Sequence, residues 1–288
     1  MFAWSSVCGE RPAVMGIVNV TPDSFSDGGR YLELAAAVAH GRALAAAGAD
    51  LLDVGGESTR PGAEPVDAGE EIRRVLPVVA ALVRESGLPV SIDTRKGSVA
   101  RAAIDAGAVV VNDVTAGLGD PDMLPIVSDA GAGLVLMHMR GEPRTMQRDP
   151  RYDDVVFEVA DFLVERIAAA REAGVADHAI CADPGIGFGK LPRHNLELLA
   201  RLPELVTRVE VPVLIGASRK SFIGAVLAAG EQDSSGRPPD SRDDASLATA
   251  VWAIDRGARV VRVHDVGPAA DAVRLLSVMR AIDAEAVA

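Results

Sequence analysis

Short apolar, β-branched runs alternate along this chain with longer alanine-rich stretches of helical period, and the alternation repeats eight times. The runs predict strands at Val14–Val20, Leu51–Gly55, Pro89–Thr94, Val109–Asp113, Gly133–Met139, Ala179–Asp183, Val211–Ser218 and Arg259–Asp265. Helical stretches follow them, among them Glu33–Ala47, Asp67–Ser86, Asp153–Ala173 and Pro268–Ala284. Near-continuous apolar strands, each followed by a helix, are what a parallel sheet covered on its faces requires. Eight such units in 288 residues fit an α/β fold of the TIM (β/α)8 barrel kind better than an open doubly wound sheet, because a barrel places every strand in one ring. Residues 1–13 read as an N-terminal leader, and 14–288 as a single (β/α)8 domain. The polar stretch at about 230–243 breaks the hydrophobic period and reads as a flexible surface loop of the seventh unit. No internal repeat stands out beyond the βα rhythm.

Composition narrows the function classes. Hydrophobic residues make up 49% of the chain, enough for one barrel-sized core. A formal charge of −12 without a basic stripe argues against nucleic-acid and anionic-membrane partners. The N-terminus has no basic region followed by an apolar run, and nowhere do apolar residues approach the roughly 18 of a spanning helix. A soluble, cytoplasmic protein is therefore expected. Cys8 and Cys181 form no disulfide framework or metal spacing and read as inert thiols.

Against this acidic background the few cations at strand ends carry information. Lys96, Lys190 and Lys220 are the three lysines against twenty-six arginines, and each lies just past a predicted strand. A lysine kept where arginine is the default points to a compact, movable ammonium, most clearly at Lys220, where an apolar strand ends in Ser218, Arg219 and Lys220. Lys96 reads as an ordinary solvated lysine, and Lys190, at the end of a glycine-rich loop, as either structural or functional. In a barrel, chemistry gathers at the carboxyl ends of the strands. There the sequence puts Asn19, Asp53, Asp93, Asn112, His138, Asp183 and the Arg262-Val263-His264-Asp265 run. Side-chain alternation turns Arg262 and His264 inward if Val261 and Val263 face the helices. Asp93, Asn112 and Asp183 would then converge with Lys220, Arg262 and His264 at the mouth, unless each acid or amide simply caps the next helix. His138, His40, His178 and His194 read as structural. No zinc-type cluster, P-loop or Gly-x-Ser-x-Gly elbow occurs. Acceptors for a donor-rich heterocycle beside cations for an anion imply a substrate carrying both parts.

Taken in order, Asn19-Val-Thr-Pro-Asp-Ser-Phe-Ser-Asp-Gly28, Asp53-Val-Gly-Gly-Glu-Ser-Thr-Arg-Pro-Gly62, Ile92-Asp-Thr94, Asn112-Asp113, Met137-His-Met139, Asp183-Pro-Gly-Ile-Gly-Phe-Gly-Lys190, Ser218-Arg-Lys220 and Arg262-Val-His-Asp265 resemble the dihydropteroate synthase family. The resemblance runs from about Val14 to the C-terminus. It implies a TIM barrel, usually a homodimer, that joins 7,8-dihydropterin-6-ylmethyl diphosphate to p-aminobenzoate, releases pyrophosphate and is the target of sulfonamides. It also implies residue roles. Asp93, Asn112 and Asp183 would hydrogen-bond the pterin, with Lys220 on the ring and Arg262 stacked over it. Asn19 would hold Mg2+ on the diphosphate. Thr59, Arg60, Arg262 and His264 would contact that diphosphate, and Phe25, Pro61, Lys220 and Ser221 would shape the p-aminobenzoate subsite. Ile186 and Arg95 are slight departures from the family pattern. Two other readings remain: a related barrel that carries a folate methyl group, and a pterin-binding paralogue without catalysis.

Overall fold

The computed structural model describes residues 1–20, 30–58, 63–142, 145–229 and 237–287. Its eight strands are β1 (Ala13–Asn19), β2 (Leu51–Gly55), β3 (Val90–Asp93), β4 (Val110–Asp113), β5 (Gly133–Met137), β6 (Ile180–Asp183), β7 (Leu214–Ile215) and β8 (Val260–Val263). They pair in the order β6-β5-β4-β3-β2-β1-β8-β7, every pair parallel. A parallel bridge between Ala182 and Val213, with the Ala182 N–H donating to the Pro212 carbonyl at 2.9 Å, joins the two ends of that order. The ring is thus closed, as an (β/α)8 barrel requires.

Helices cover the ring. A short α1 (Ser5–Cys8) precedes β1, and α2 (Arg30–Ala46), α3 (Ala68–Glu85), α4 (Gly97–Asp105), α5 (Met123–Ala130) and α6 (Val155–Glu172) follow β1 to β5 in turn. Two helices, α7 (Pro192–Ala200) and α8 (Leu202–Val209), follow β6; α9 (Ser221–Leu227) and α10 (Asp243–Asp255) follow β7; α11 (Val266–Val287) follows β8. Helix starts are written locally. Asp67 caps α3 by accepting from the Glu70 N–H at 3.0 Å, and Asp154 caps α6 by accepting from Val156 and Phe157 at 2.9 and 3.1 Å.

Period-two alternation sorts the strand residues into two cores. Met15, Leu51, Val110, Val135, Cys181, Leu214 and Val260 fill the barrel interior, whereas Val14, Leu52, Ile92, Val111, Leu134, Val213 and Val261 pack outward under the helices. Each such burial is worth roughly 1.5–3 kcal/mol, so parity alone fixes which strand-end polar groups face inward. The N-terminal residues close the lower end of the interior. Trp4 is 1% exposed, donates its indole N–H to the Ala179 carbonyl at 2.9 Å, and stands edge-on to Phe2 with centroids 5.2 Å apart.

All eight strands fall within a residue of the start of their expected runs except the seventh, while the fifth and eighth stop short of theirs, at Met137 and Val263. The expectation Val211–Ser218 contracts to the two-residue β7, because Pro212 has no N–H to give and Gly216 to Ser218 leave the ladder to carry side chains to the mouth. The stretch expected as a loop at about 230–243 is described from Arg237 onward, where Pro239–Ser241 form a 3-10 turn leading into α10.

Candidate active site

The inward positions at the carboxyl ends of the strands are Asn19, Asp53, Asp93, Asn112, Asp183, Arg262 and His264, with Gly55 and Gly216 between them. Arg262 organises the group. Its Nε donates to Asp53 Oδ2 at 2.6 Å and its Nη2 to Asp93 Oδ2 at 2.9 Å, so one guanidinium bridges the ends of β2 and β3 from β8. Asp53 is fully buried, and the same Oδ2 accepts from Asn112 Nδ2 at 2.9 Å. Burial opposes the charge on Arg262, yet Asp53 and Asp93 outweigh it and hold its pKa above the ordinary value.

Two acids at this mouth are pushed toward neutrality. Burial raises the Asp93 pKa to about 7, opposed by Arg262 and reinforced by Asp53. Burial likewise raises Asp183, opposed by the Gly185 N–H, which donates to its Oδ1 at 2.7 Å. That contact needs glycine: Gly185 has φ +67°, and a Cβ there would sit 1.9 Å from the His138 carbonyl oxygen. A Cβ at Gly216 would lie 3.8 Å from Arg262 Cβ and 4.0 Å from Asp183 Oδ2, so a side chain there would fill the space between them. Lys220 enters from the start of α9. Its ammonium donates to the Ile186 carbonyl at 2.7 Å and lies 3.9 Å from the centre of the Phe188 ring. Burial lowers its pKa to about 7, with Asp183 pulling the other way. His264 is fixed by Ser218, whose Oγ stands 3.0 Å from Nδ1 and accepts the His264 backbone N–H at 3.3 Å. Asn19, half-buried, closes β1 beside Gly55, and Ser221 is exposed at the first turn of α9.

The structure therefore brings Asp93, Asn112, Asp183, Lys220, Arg262 and His264 to one end of the ring. Phe25, Thr59, Arg60 and Pro61 lie outside the described residues. Two lysine readings change. Lys96 is no solvated lysine: its ammonium pairs with Glu57 at 2.5 Å and with the fully buried Glu71, while Arg95 reaches Glu57 at 3.1 Å. Burial pushes Glu57 up, but Lys96 holds it below the usual range. Lys190 is structural and 2% exposed, its Nζ 2.8 Å from His138 Nδ1 and donating at 3.0 Å to each of the Gly185 and Phe188 carbonyls. His138 accordingly sits outside the barrel interior, its pKa lowered to about 2 by burial and by Lys190. Asp113 serves its own turn, accepting from Thr115 and Gly117.

Three contributors stand in the sequence without a role assigned to them. Asp53 shares parity with Leu51 and Gly55, which was the available signal. Phe188 and Ser218 showed only as members of motifs, because their contacts with Lys220 and His264 join different βα units. Among the described residues no cluster of three His, Cys, Asp or Glu side chains could hold a metal. An amide oxygen such as that of Asn19 is nonetheless a hard donor, suited to Mg2+ that shares its shell with substrate phosphates.

Comparison with known proteins agrees with this arrangement. Residues 15–264 match the family described as pterin binding enzyme. The dihydropteroate synthase of Escherichia coli strain K12 is 46% identical over 266 residues, 92% of this chain and 91% of that protein. A structure of Xanthomonas albilineans dihydropteroate synthase with 4-aminobenzoic acid superposes with a TM-score of 0.86 at 50% identity, covering 94% of both chains. The Yersinia pestis enzyme in a sulfonamide drug complex gives a TM-score of 0.86 at 43% identity, covering 94% of this chain and 95% of that one.

Proposed function

We propose that this chain, which belongs to the pterin-binding enzyme family, works as a dihydropteroate synthase, a transferase of folate biosynthesis and a sulfonamide target. It condenses 7,8-dihydropterin-6-ylmethyl diphosphate with p-aminobenzoate to give 7,8-dihydropteroate and pyrophosphate. The observation that carries the residue roles is the convergence of three acceptor side chains, Asp93, Asn112 and Asp183, with Lys220 and Arg262 around one inward space.

An aminopterin edge presents several coplanar N–H donors, and carboxylate and amide oxygens pair with them directionally enough to reject other heterocycles. Asp93, Asn112 and Asp183 hold that edge. Arg262 lies against the ring and, with His264, faces the diphosphate, to which the family resemblance also assigns Thr59 and Arg60. In the reaction the methylene C–O bond breaks, a C–N bond forms to the arylamine, and the amine loses one proton. The residues therefore have to stabilise a departing anion and shield an electrophilic methylene from water, each well-placed donor supplying about 3–4 kcal/mol. Asn19 would hold Mg2+, which when bound neutralises charge on the leaving diphosphate. Lys220 and Ser221, together with Phe25 and Pro61 by family resemblance, are assigned to p-aminobenzoate. The neutral aniline nitrogen needs no strong base.

Incubation with dihydropterin diphosphate, p-aminobenzoate and Mg2+ gives dihydropteroate and pyrophosphate, and a sulfonamide competes with p-aminobenzoate. Pterin binding without product would sink the catalytic reading.

The Asp93 pKa of about 7 sets a pH dependence. Ring N–H donors require the carboxylate, so pterin affinity measured by calorimetry rises as pH climbs toward about 7 and levels off about one unit above it. Stability moves oppositely: a raised folded-state pKa favours the neutral acid, so the Asp93 contribution is present at low pH and fades as pH rises through about 7. Pterin affinity that is flat across this window would remove Asp93 from the ring contacts.

The protein acts as a homodimer through α11. Leu275, Val278, Met279 and Ile282, each more than half exposed, form a stripe at i, i+3, i+4 and i+7 on that helix. The parent chain runs at dimer mass in light scattering, and Met279→Glu runs as a monomer. A monomeric parent would dispose of this assignment.

A further inference from the structure

We infer that Asp53 sets the hydrogen-bonding polarity of the pocket, by fixing the Asn112 amide with its carbonyl oxygen toward the substrate. The inference rests on the pterin reading above. Asp53 is fully buried, and as a carboxylate it can only accept. The atom of Asn112 that stands 2.9 Å from Asp53 Oδ2 must therefore be the amide nitrogen, whichever way a flat amide would be drawn from shape alone. The two heads of an amide diverge, so the oxygen is the head left for the pocket. With Asp93 and Asp183 this makes the three side chains acceptors together, the complement of a 2-amino heterocycle. Turned over, Asn112 would aim an NH2 at the 2-amino group and would favour a 2-oxo ring instead.

Arg262 reinforces the arrangement. Its Nε donates to the same Oδ2 at 2.6 Å, and a guanidinium never accepts. Any residue at position 53 that keeps an oxygen there is forced by Arg262 to present that oxygen, and Asn112 must still answer with its nitrogen. The other carboxylate oxygen, Asp53 Oδ1, is buried without a hydrogen-bond partner, and so is Ser91 Oγ, the hydroxyl of its register partner on β3. An amide at position 53 can thus keep its oxygen on Arg262 and turn its NH2 toward the Ser91 hydroxyl. Asp53 is a positioning residue by this argument: it acts through Asn112 and Arg262.

Two variants separate this role from mere charge balance. Affinities for 6-hydroxymethylpterin and its 2-oxo counterpart 6-hydroxymethyllumazine are measured by calorimetry, with folding checked by circular dichroism. Asp53→Ala frees the Asn112 amide, weakens the pterin about 30–100-fold and shrinks its preference over the lumazine at least about tenfold. Asp53→Asn lacks the charge but keeps the oxygen, and it retains the preference within about threefold. Equal discrimination by Asp53→Ala and the parent, or equal damage in both variants, overturns the inference. A parent that binds neither ring sinks the pterin reading itself. Should Asp53→Ala not fold, a neutron map of the parent with bound pterin decides, since deuterons on the substrate side of the Asn112 amide contradict the assignment.

Discussion

Arg262→Ala abolishes turnover and lowers stability by about 3–5 kcal/mol, the loss expected when one member of a buried ion-pair network is removed. Its guanidinium is the common partner of Asp53, which is fully buried, and Asp93, at 2.6 and 2.9 Å. Without it Asp53 loses its only paired cation among the described residues, and Asp93 keeps the more distant Lys220 influence. The effect exceeds what the chain's surface pairs can show. Arg151 and Asp149 are 85% and 68% exposed, and breaking that pair changes stability little because water already solvates both ends. Catalytically the same substitution removes the group proposed to lie on the ring and face the diphosphate, for which a loss of at least about 10²–10³ in kcat is the ordinary scale. Arg262→Lys recovers part of the stability but little activity, since a single ammonium cannot bridge two carboxylates on adjacent strands. Urea unfolding and a pyrophosphate-release assay check both halves. Stability within about 1 kcal/mol of the parent would show that the carboxylates find other partners.

The parts of the site legible in the sequence are those governed by strand parity. Val261 and Val263 look outward, so Arg262 and His264 look inward; Ile92 looks outward, so Asp93 does not. Eight repeats of one rhythm also made the ring legible, since each strand-helix unit is a local matter of apolar period and turn chemistry. What parity could not reach are contacts between units. Lys96 finds Glu57 and Glu71 on the neighbouring βα unit, 39 and 25 residues back, and nothing in its own surroundings announces them. Lys190 is settled by backbone detail: the His138 carbonyl just past β5 meets the Gly185 and Phe188 carbonyls of a loop with left-handed glycines at 185, 187 and 189. β7 was overrun because its apolar residues continue past the point where the ladder stops. Asp53 was seen as a strand end, yet its partnership with Asn112, 59 residues on, needed the closed ring.

Lys220→Met is expected to cost nearly all activity and almost no stability, the opposite of Arg262→Ala in the second respect. Arg262 answers two carboxylates directly, whereas the Lys220 ammonium donates to the Ile186 carbonyl and rests on Phe188 without a carboxylate in hydrogen-bond reach among the described residues. Burial lowers its pKa to about 7, so the fold tolerates the charge poorly. A depressed lysine contributes stability above its unfolded value of about 10.5, and that contribution is lost as pH falls through about 7. Methionine fills a similar volume with no charge to desolvate and keeps a favourable sulfur–aromatic contact with Phe188. Its unfolding free energy should therefore stay within about 1 kcal/mol of the parent at pH 8, and match or exceed it at pH 6, where the lysine is charged in both states. Activity has no such compensation, because Lys220 is assigned to both the pterin ring and the p-aminobenzoate side. Both KM values should rise and kcat should fall by at least about 10². A variant that loses stability at pH 6 would mean that the ammonium is held by partners stronger than one carbonyl and one ring. A variant that turns over normally would free Lys220 from the reaction and leave Arg262 and His264 as the cations that matter.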